Sequence, residues 1–276
     1  MKEELIKHFK NKGKLYVFGN GGFASIAEHF VAELQTGMGI KFLPFLKAYS
    51  LTQPSSTITA ISNDFGFENV FLYQLLGKVD SNSVVIGLSC SGSKNVLKAL
   101  DYAKNFSDKV YFIGGVKTKF EGMVYNGSCN DIQDKAQIYL HQLAKDVISS
   151  VVVGFTNGVF DGLHVGHLYL LKEAKKRCDY LIVGINSDNS AKRLKKKLHF
   201  PLQERIKMLY YTGYVDYVIP FNEDTPYNLI KTIKPDVLFK GAEYKPSEVV
   251  GRDLVKEVIL IPNYFNIHNS KVRLWY

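Results

Sequence analysis

Val151-Val152-Val153-Gly154-Phe155-Thr156-Asn157-Gly158-Val159-Phe160-Asp161-Gly162-Leu163-His164-Val165-Gly166-His167 decides how this 276-residue chain is read. Residues 151–155 form a short β-branched run of strand length. The residues after His167 recur at helical spacing through Arg177, and Tyr180 to Ile185 is again strand-like. The motif therefore sits between a strand and a helix. The pattern repeats downstream, with a helix over 203–212, a strand over 217–220, a helix over 225–233 and a strand over 237–240. Successive strand–helix units predict a parallel sheet covered by helices on both faces.

The same alternation runs upstream. Lys14 to Phe18 reads as a strand, Asn20-Gly21-Gly22 as a turn, and Ser25 to Gln35 as a helix with Ile26, Phe30 and Leu34 on one face. Ser83 to Ser89 is a strand, Asn95 to Asn105 a helix and Lys109 to Gly114 a strand. Residues 131–148 form a long helix with Ile132, Ala136, Leu140, Leu143 and Val147 apolar. No Gly/Ser/Pro-rich linker separates the halves, so two α/β domains in tandem are expected, 1–148 and 149–276, joined tightly near Ser149-Ser150. No internal repeat or low-complexity segment is present.

Composition is that of an ordinary globular chain, neither disordered nor fibrous: 46% hydrophobic and 22% charged residues. Its apolar runs are far shorter than the ~20 residues of a membrane span. Met1-Lys2-Glu3-Glu4 lacks the basic-then-apolar order of a secretory signal. Cys90, Cys129 and Cys178 make no CxxC pair, so no disulfide framework is expected and a cytoplasmic location is. Of the net charge of +9, residues 151–276 supply 19 Lys+Arg against 13 Asp+Glu. Much of that excess is the run Lys192-Arg193-Leu194-Lys195-Lys196-Lys197, which suits a nucleic acid, a solvated helix end or a polyphosphate.

Two sets of residues carry chemistry. In open α/β sheets, ligands bind where strand ends lead into helix N-termini. Gly19-Asn20-Gly21-Gly22 and Ser89-Cys90-Ser91-Gly92-Ser93 are such turns, whose backbone N–H groups and hydroxyls suit a phosphate monoester, or simply cap a helix. No Lys-Ser/Thr pair follows the glycines, which excludes a Walker-type loop. His29 and Glu33 share one helix face, and Gln133, Gln137 and His141 form a ridge on another. In the second half, His164 and His167 flank Gly166 at a helix N-terminus, where imidazoles and the helix dipole stabilise charge developing on an attacked α-phosphate. A metal site or a capped turn is the simpler reading, but HxGH following Phe160-Asp161 after a strand is more specific than either.

Gly19-Asn20-Gly21-Gly22, Glu28-His29-Phe30-Val31-Ala32-Glu33-Leu34, Ser62-Asn63-Asp64-Phe65-Gly66, Ser89-Cys90-Ser91-Gly92 and Ile132-Gln133 with His141 together resemble the phosphoheptose isomerases of the SIS sugar-phosphate-binding fold. The resemblance covers roughly residues 12–148. It implies that Glu33 and His141 are base and acid in an aldose–ketose isomerisation. It also implies that His29, Glu33, Gln133 and His141 can hold Zn²⁺, and that Asn20, Asp64, Ser89, Ser91 and Ser93 bind the substrate phosphate. The pattern differs from the family at Phe23, where a serine is usual, in a serine loop one residue shorter, and at Gly37-Met38, where an arginine is missing. A preceding helical extension is expected to be absent.

Roughly residues 150–273 resemble the nucleotidyltransferases typified by glycerol-3-phosphate cytidylyltransferase, and most closely the heptose 1-phosphate adenylyltransferase domains. The match is carried by Phe160-Asp161, His164, His167, Asn186-Ser187-Asp188, the basic run, Glu204-Arg205, Glu223-Asp224-Thr225-Pro226, Lys234-Pro235-Asp236, Lys240-Gly241 and Tyr244-Lys245-Pro246. It implies a Rossmann-like domain in which His164 and His167 act on the triphosphate of an Mg²⁺-bound NTP, ATP or CTP. Phe160, Asp161, Lys195, Lys240 and Ser270 would line the nucleotide site. The basic run is then a phosphate clamp, since nothing else points to nucleic acid. The usual Ser/Thr-rich closing turn is reduced to Ser270 in Ile267-His268-Asn269-Ser270, and the helix after it is expected to be missing.

Together the resemblances imply a SIS-type parallel-sheet domain followed by an HxGH nucleotidyltransferase domain. The expected function is heptose phosphate isomerisation and sugar 1-phosphate nucleotidylation, with no membrane partner and a homodimer or homotetramer as the assembly. The alternatives are a polyol-phosphate cytidylyltransferase fused to another isomerase, or to a SIS module that only senses sugar phosphates.

Overall fold

A computed structural model describes residues 1–194 and 197–262. The chain divides into two compact units between Ser150 and Val151. The first contains, in order, α1 (Lys2–Lys10), β1 (Lys14–Gly19), α2 (Gly22–Thr36), β2 (Lys47–Ser50), α3 (Ser55–Phe65), α4 (Val70–Leu75), β3 (Ser83–Ser89), α5 (Lys94–Lys104), β4 (Val110–Gly114), β5 (Glu121–Val124) and α6 (Cys129–Ser150). The second contains β6 (Val153–Gly158), α7 (Val165–Lys175), β7 (Tyr180–Asn186), α8 (Asp188–Leu194), α9 (Leu202–Tyr211), β8 (Tyr217–Phe221), α10 (Tyr227–Ile233), β9 (Val237–Gly241) and β10 (Glu257–Ile261).

Each unit is built on one five-stranded parallel sheet, ordered β2-β1-β3-β4-β5 in the first and β10-β9-β6-β7-β8 in the second. All seven residues of β3 and of β7 are buried, as strands covered on both faces require. In α2 the buried Phe23, Ile26, Ala27, Phe30, Val31 and Leu34 recur at helical spacing and pack against α6 through its Ile132, Ala136, Leu140 and Leu143 side. Phe23 joins this core at 3% exposure, so the residue that replaces the expected serine serves packing.

In both sheets the strand order reverses beside the unit's first strand. The crevice lies between the ends of β1 and β3 in the first unit and between β6 and β9 in the second. The expected two parallel-sheet α/β domains are present. One expectation is overturned: Cys90 and Cys129 form a disulfide, S–S 2.16 Å. They lie 39 residues apart, and only folding brings the turn after β3 to the first residue of α6. No helix among the described residues is long and apolar enough to cross a membrane.

Candidate active sites

The first site lies where α2 and α6 pack together. Their helical periodicity places Glu33 on a mostly buried face, its side chain only 9% exposed, while His29 one turn earlier stays 54% exposed. Glu33 Oε1 lies 3.1 Å from His29 Nε2 and in a very short contact with His141 Nδ1 from α6. One carboxylate oxygen is thus shared by two imidazoles, and the other, Oε2, is buried with no hydrogen-bond partner among the described residues. The three candidate ligand atoms lie within 4.8 Å of one another. Two nitrogens and a carboxylate oxygen form a donor set that suits Zn²⁺, and the unsatisfied Oε2 marks a place short of a positive partner. Gln133 lies two turns before His141 on α6. Its side chain packs over Gly22 and its Nε2 donates to Cys129 Sγ at 3.5 Å.

The expected phosphate cradle is assembled only in part. Asn20, just after β1, exchanges two 2.9 Å hydrogen bonds with Asn95 in the first turn of α5. Ser89 Oγ accepts from the Ser93 backbone N–H at 2.9 Å and lies 3.0 Å from Ser93 Oγ, closing the serine turn. Gly92 adopts φ +71 inside that turn, a conformation a side chain would strain. Ser91 is exposed at the tip, and Asp64 is exposed near the end of α3, accepting from Asn63 Nδ2 at 2.8 Å. The Asn20–Asn95 and Ser89–Ser93 pairs therefore both lie at the carboxyl ends of β1 and β3, whereas Asp64 makes no hydrogen bond to them among the described residues.

The second site is a cavity of about 320 Å³ at the β6/β9 reversal, lined in part by Thr156, Asn157, Phe160, His164, His167, Tyr169, Lys240, Glu243 and Tyr244. His164 caps α7, its Nδ1 accepting the Gly166 N–H at 3.2 Å. That bond fixes the tautomer, leaving Nε2–H as a donor. The two imidazoles stack with centroids 3.9 Å apart. Phe160, at φ +50, is a non-glycine residue in the left-handed region, strained at the rim of the cavity.

Lys240 Nζ donates to Asn157 Oδ1 at 2.6 Å and lies 5.2 Å from the Tyr244 ring centre. Burial pushes its ammonium down to about 8, against an opposing pull from Glu243.

The Asp161 carboxylate accepts N–H groups of His199 and Phe200 at 3.0–3.1 Å and lies 3.0 Å from His199 Nδ1. A carboxylate 6% exposed needs such partners, so it anchors the segment after the basic run and is absent from the cavity lining. In that run Arg193 is committed to Asp224 at 2.8 Å and to the Asn222 carbonyl. Lys195 and Ser270 lie outside the described residues.

Sequence reasoning missed the part played by Arg205, which is fully buried. Its guanidinium donates to the carbonyls of Val159, Asn186 and Phe200 and to Asp188 Oδ1, at 2.7–3.1 Å. One side chain thus ties together the segments that follow β6, β7 and the basic run. The sequence marked it as part of the Glu204-Arg205 match and as a charged residue inside a helical pattern, neither of which shows what it binds.

Residues 2–115 match the family described as SIS domain, and residues 155–273 the family described as cytidylyltransferase-like. The chain is 38% identical to the bifunctional protein HldE of Nitratiruptor sp. over 205 residues, 69% of this chain and 43% of that protein. It is 56% identical to the bifunctional protein HldE of Campylobacter concisus over 112 residues, 40% and 24% of the two. A solved phosphoheptose isomerase GmhA from Neisseria gonorrhoeae is 31% identical, with TM-score 0.46, covering 54% of this chain and 83% of that one. The chain spans less than half the length of the curated relatives it matches.

Proposed function

We propose that this chain, which joins a SIS domain to a cytidylyltransferase-like domain, is a bifunctional enzyme of nucleotide-activated heptose synthesis. The first domain interconverts sedoheptulose 7-phosphate and a manno-heptose 7-phosphate. The second transfers a nucleotidyl group from ATP or CTP, bound with Mg²⁺, to a sugar 1-phosphate and releases pyrophosphate. These are not consecutive steps, since a kinase and a phosphatase must act between them.

The observation that carries the isomerase reading is the Glu33 carboxylate held between His29 and His141. Glu33 takes the proton from the carbon beside the substrate carbonyl and returns it to the neighbouring carbon, while His141 serves the oxygens. His29, Glu33 and His141 would hold Zn²⁺, which when bound polarises a carbonyl. The serine turn and the Asn20–Asn95 pair hold the distal phosphate.

In the second domain an acceptor phosphate oxygen bonds to the α-phosphorus, the bond to the β-phosphate oxygen breaks, and pyrophosphate leaves with the electron pair. His164 Nε2–H, His167 and the N-terminus of α7 stabilise the added charge. Such chemistry belongs in the cytoplasm, where NTPs are supplied. A homo-oligomer is supported by α3, which buries none of its residues and leaves Phe65 exposed at its end.

Two assays on the purified chain test the reading. Ketose–aldose conversion of sedoheptulose 7-phosphate should fall by at least about a hundredfold in Glu33→Gln, as loss of a general base implies. Pyrophosphate release from ATP or CTP with heptose 1-phosphate should fall by a similar factor, about a hundredfold, in His164→Ala/His167→Ala. Full activity in either variant refutes the corresponding site, and no turnover of any ketose phosphate favours a sensing module.

A further inference from the structure

We infer that the Cys90–Cys129 bond is a site of reversible exchange with a thiol or dithiol reductant, and that its redox state sets how tightly the serine turn of the first unit takes a phosphate monoester. The second half of this statement rests on the isomerase reading of that unit. Cys90 stands inside the turn between β3 and α5, and Cys129 is the first residue of α6. Cys129 is exposed and Cys90 partly so, which lets a reductant reach the bond from solvent. In a cytoplasm such a bond is transient or redox-sensing rather than permanent. Cys178 belongs to the second unit, and burial pushes its thiol up to about 12, so it stays out of the exchange.

Neither segment depends on the bond for its local structure. The start of α6 carries its own cap: Asp131 Oδ2 accepts the Ser128 N–H at 2.8 Å and the Ser128 hydroxyl at 2.7 Å. The turn has its own ties. The Gly115 N–H donates to the Cys90 carbonyl at 3.1 Å, and the Ser93 N–H donates to Ser89 Oγ at 2.9 Å. Reduction therefore leaves turn and helix folded and removes only the covalent link between them.

The link restrains the rearrangement that phosphate binding needs. The Ser89 and Ser93 hydroxyls are hydrogen-bonded to each other at 3.0 Å, and the Ser93 N–H, at the N-cap of α5, is spent on Ser89. These are the donors that a phosphate at a helix N-terminus would otherwise receive. Turning them outward moves the turn, whose second residue is tethered through its side chain to α6. That helix cannot follow, because Leu140 and Leu143 are packed against α2 and Gln133 lies over Gly22. Oxidation thus holds the turn in its self-satisfied arrangement, and reduction releases it. In the exchange a thiolate of the reductant attacks Cys129 Sγ, the S–S bond breaks, and Cys90 leaves as a thiolate that takes up a proton. A second thiol of the reductant then displaces Cys129 from the mixed disulfide. Two electrons and two protons pass to the chain, the reductant becomes a disulfide, and an oxidised thiol such as glutathione disulfide reverses the sequence.

The test compares the full chain oxidised with glutathione disulfide and reduced with dithiothreitol, the state of Cys90 and Cys129 being read by mass after alkylation. Calorimetry then measures equilibrium binding of sedoheptulose 7-phosphate and of inorganic phosphate. Cys129→Ser, which leaves the serine turn unchanged, is measured alongside. Reduction should tighten the sugar phosphate Kd about tenfold, the scale of one charge-assisted hydrogen bond regained, and inorganic phosphate should follow in the same direction. Cys129→Ser should bind like the reduced wild type under both conditions. The inference is overturned if no bonded pair forms on oxidation, if Cys129→Ser still responds to dithiothreitol, or if the two wild-type forms bind alike. Weaker binding on reduction marks a structural staple and overturns it too. A wild-type chain that binds neither probe in either state removes the isomerase reading, and this inference with it; binding that ignores redox state refutes the inference and leaves that reading standing.

Discussion

Lys240 has the most telling environment of any single side chain in the second domain. Burial lowers its ammonium to about 8, and the groups facing it are Glu243 and Tyr244 from the segment after β9, Asn157 from β6, and His164 and His167 across the cavity. A bound phosphate dianion favours the charged form, so acceptor binding takes up a proton once the free lysine has lost its own. The sign follows. Acceptor KM should be flat between pH 6.5 and 7.5 and then climb above pH 8, approaching about tenfold per pH unit. The acceptor's second ionisation is near pH 6 and adds nothing in that window. A pH series of acceptor KM checks this, and a flat profile to pH 9.5 contradicts it. Lys240 was legible in the sequence as a motif residue, but its environment was not. Asn157, Glu243 and Tyr244 converge on it only once β6 and β9 are paired. Asp161 was likewise legible as a motif residue, whereas its hydrogen bonds to the His199 and Phe200 N–H groups were not.

At the scale of elements, several strands and helices with a buried face were readable because burial imposes periodicity, although α1 and α4, which also bury apolar residues, were not read. Among those read are β3, β7, α2, α5 and α6. Elements without that constraint were not foreseen. Helix α3 buries no residue, and all four residues of β5 are exposed. The joints between elements were also invisible. Arg205 on α9 satisfies three carbonyls, those of Phe200, Asn186 and Val159, which lie 5, 19 and 46 residues away. Arg205→Ala should destabilise the second domain by about 3 kcal/mol, because buried acceptors lose their donors. Arg205→Lys should recover only part of this, since an ammonium cannot reproduce the guanidinium fork. Chemical denaturation of the three proteins decides, and full recovery by lysine would show that charge alone matters at this joint.

At the scale of the whole molecule, each unit carries its own sheet, core and site. Substitutions in separate cores with no shared partner combine independently. Glu33→Gln should therefore abolish isomerisation and leave pyrophosphate release unchanged, and His164→Ala/His167→Ala should do the reverse. Loss of both activities in either variant would reveal coupling between the units. What the sequence determined by itself was local: where many of the strands and helices lie, that two strand–helix series follow each other, and which motifs offer carboxylates, imidazoles and hydroxyls at strand ends. Those properties follow from backbone geometry and burial over a few residues. The tertiary structure alone decided strand order, and with it the two crevices, the Cys90–Cys129 bond, the sharing of Glu33 by two histidines and the pairing of Asn157 with Lys240. Each joins residues far apart in the chain, and no local spacing encodes such a meeting. It is set by which hydrophobic faces pack together when the chain closes on itself.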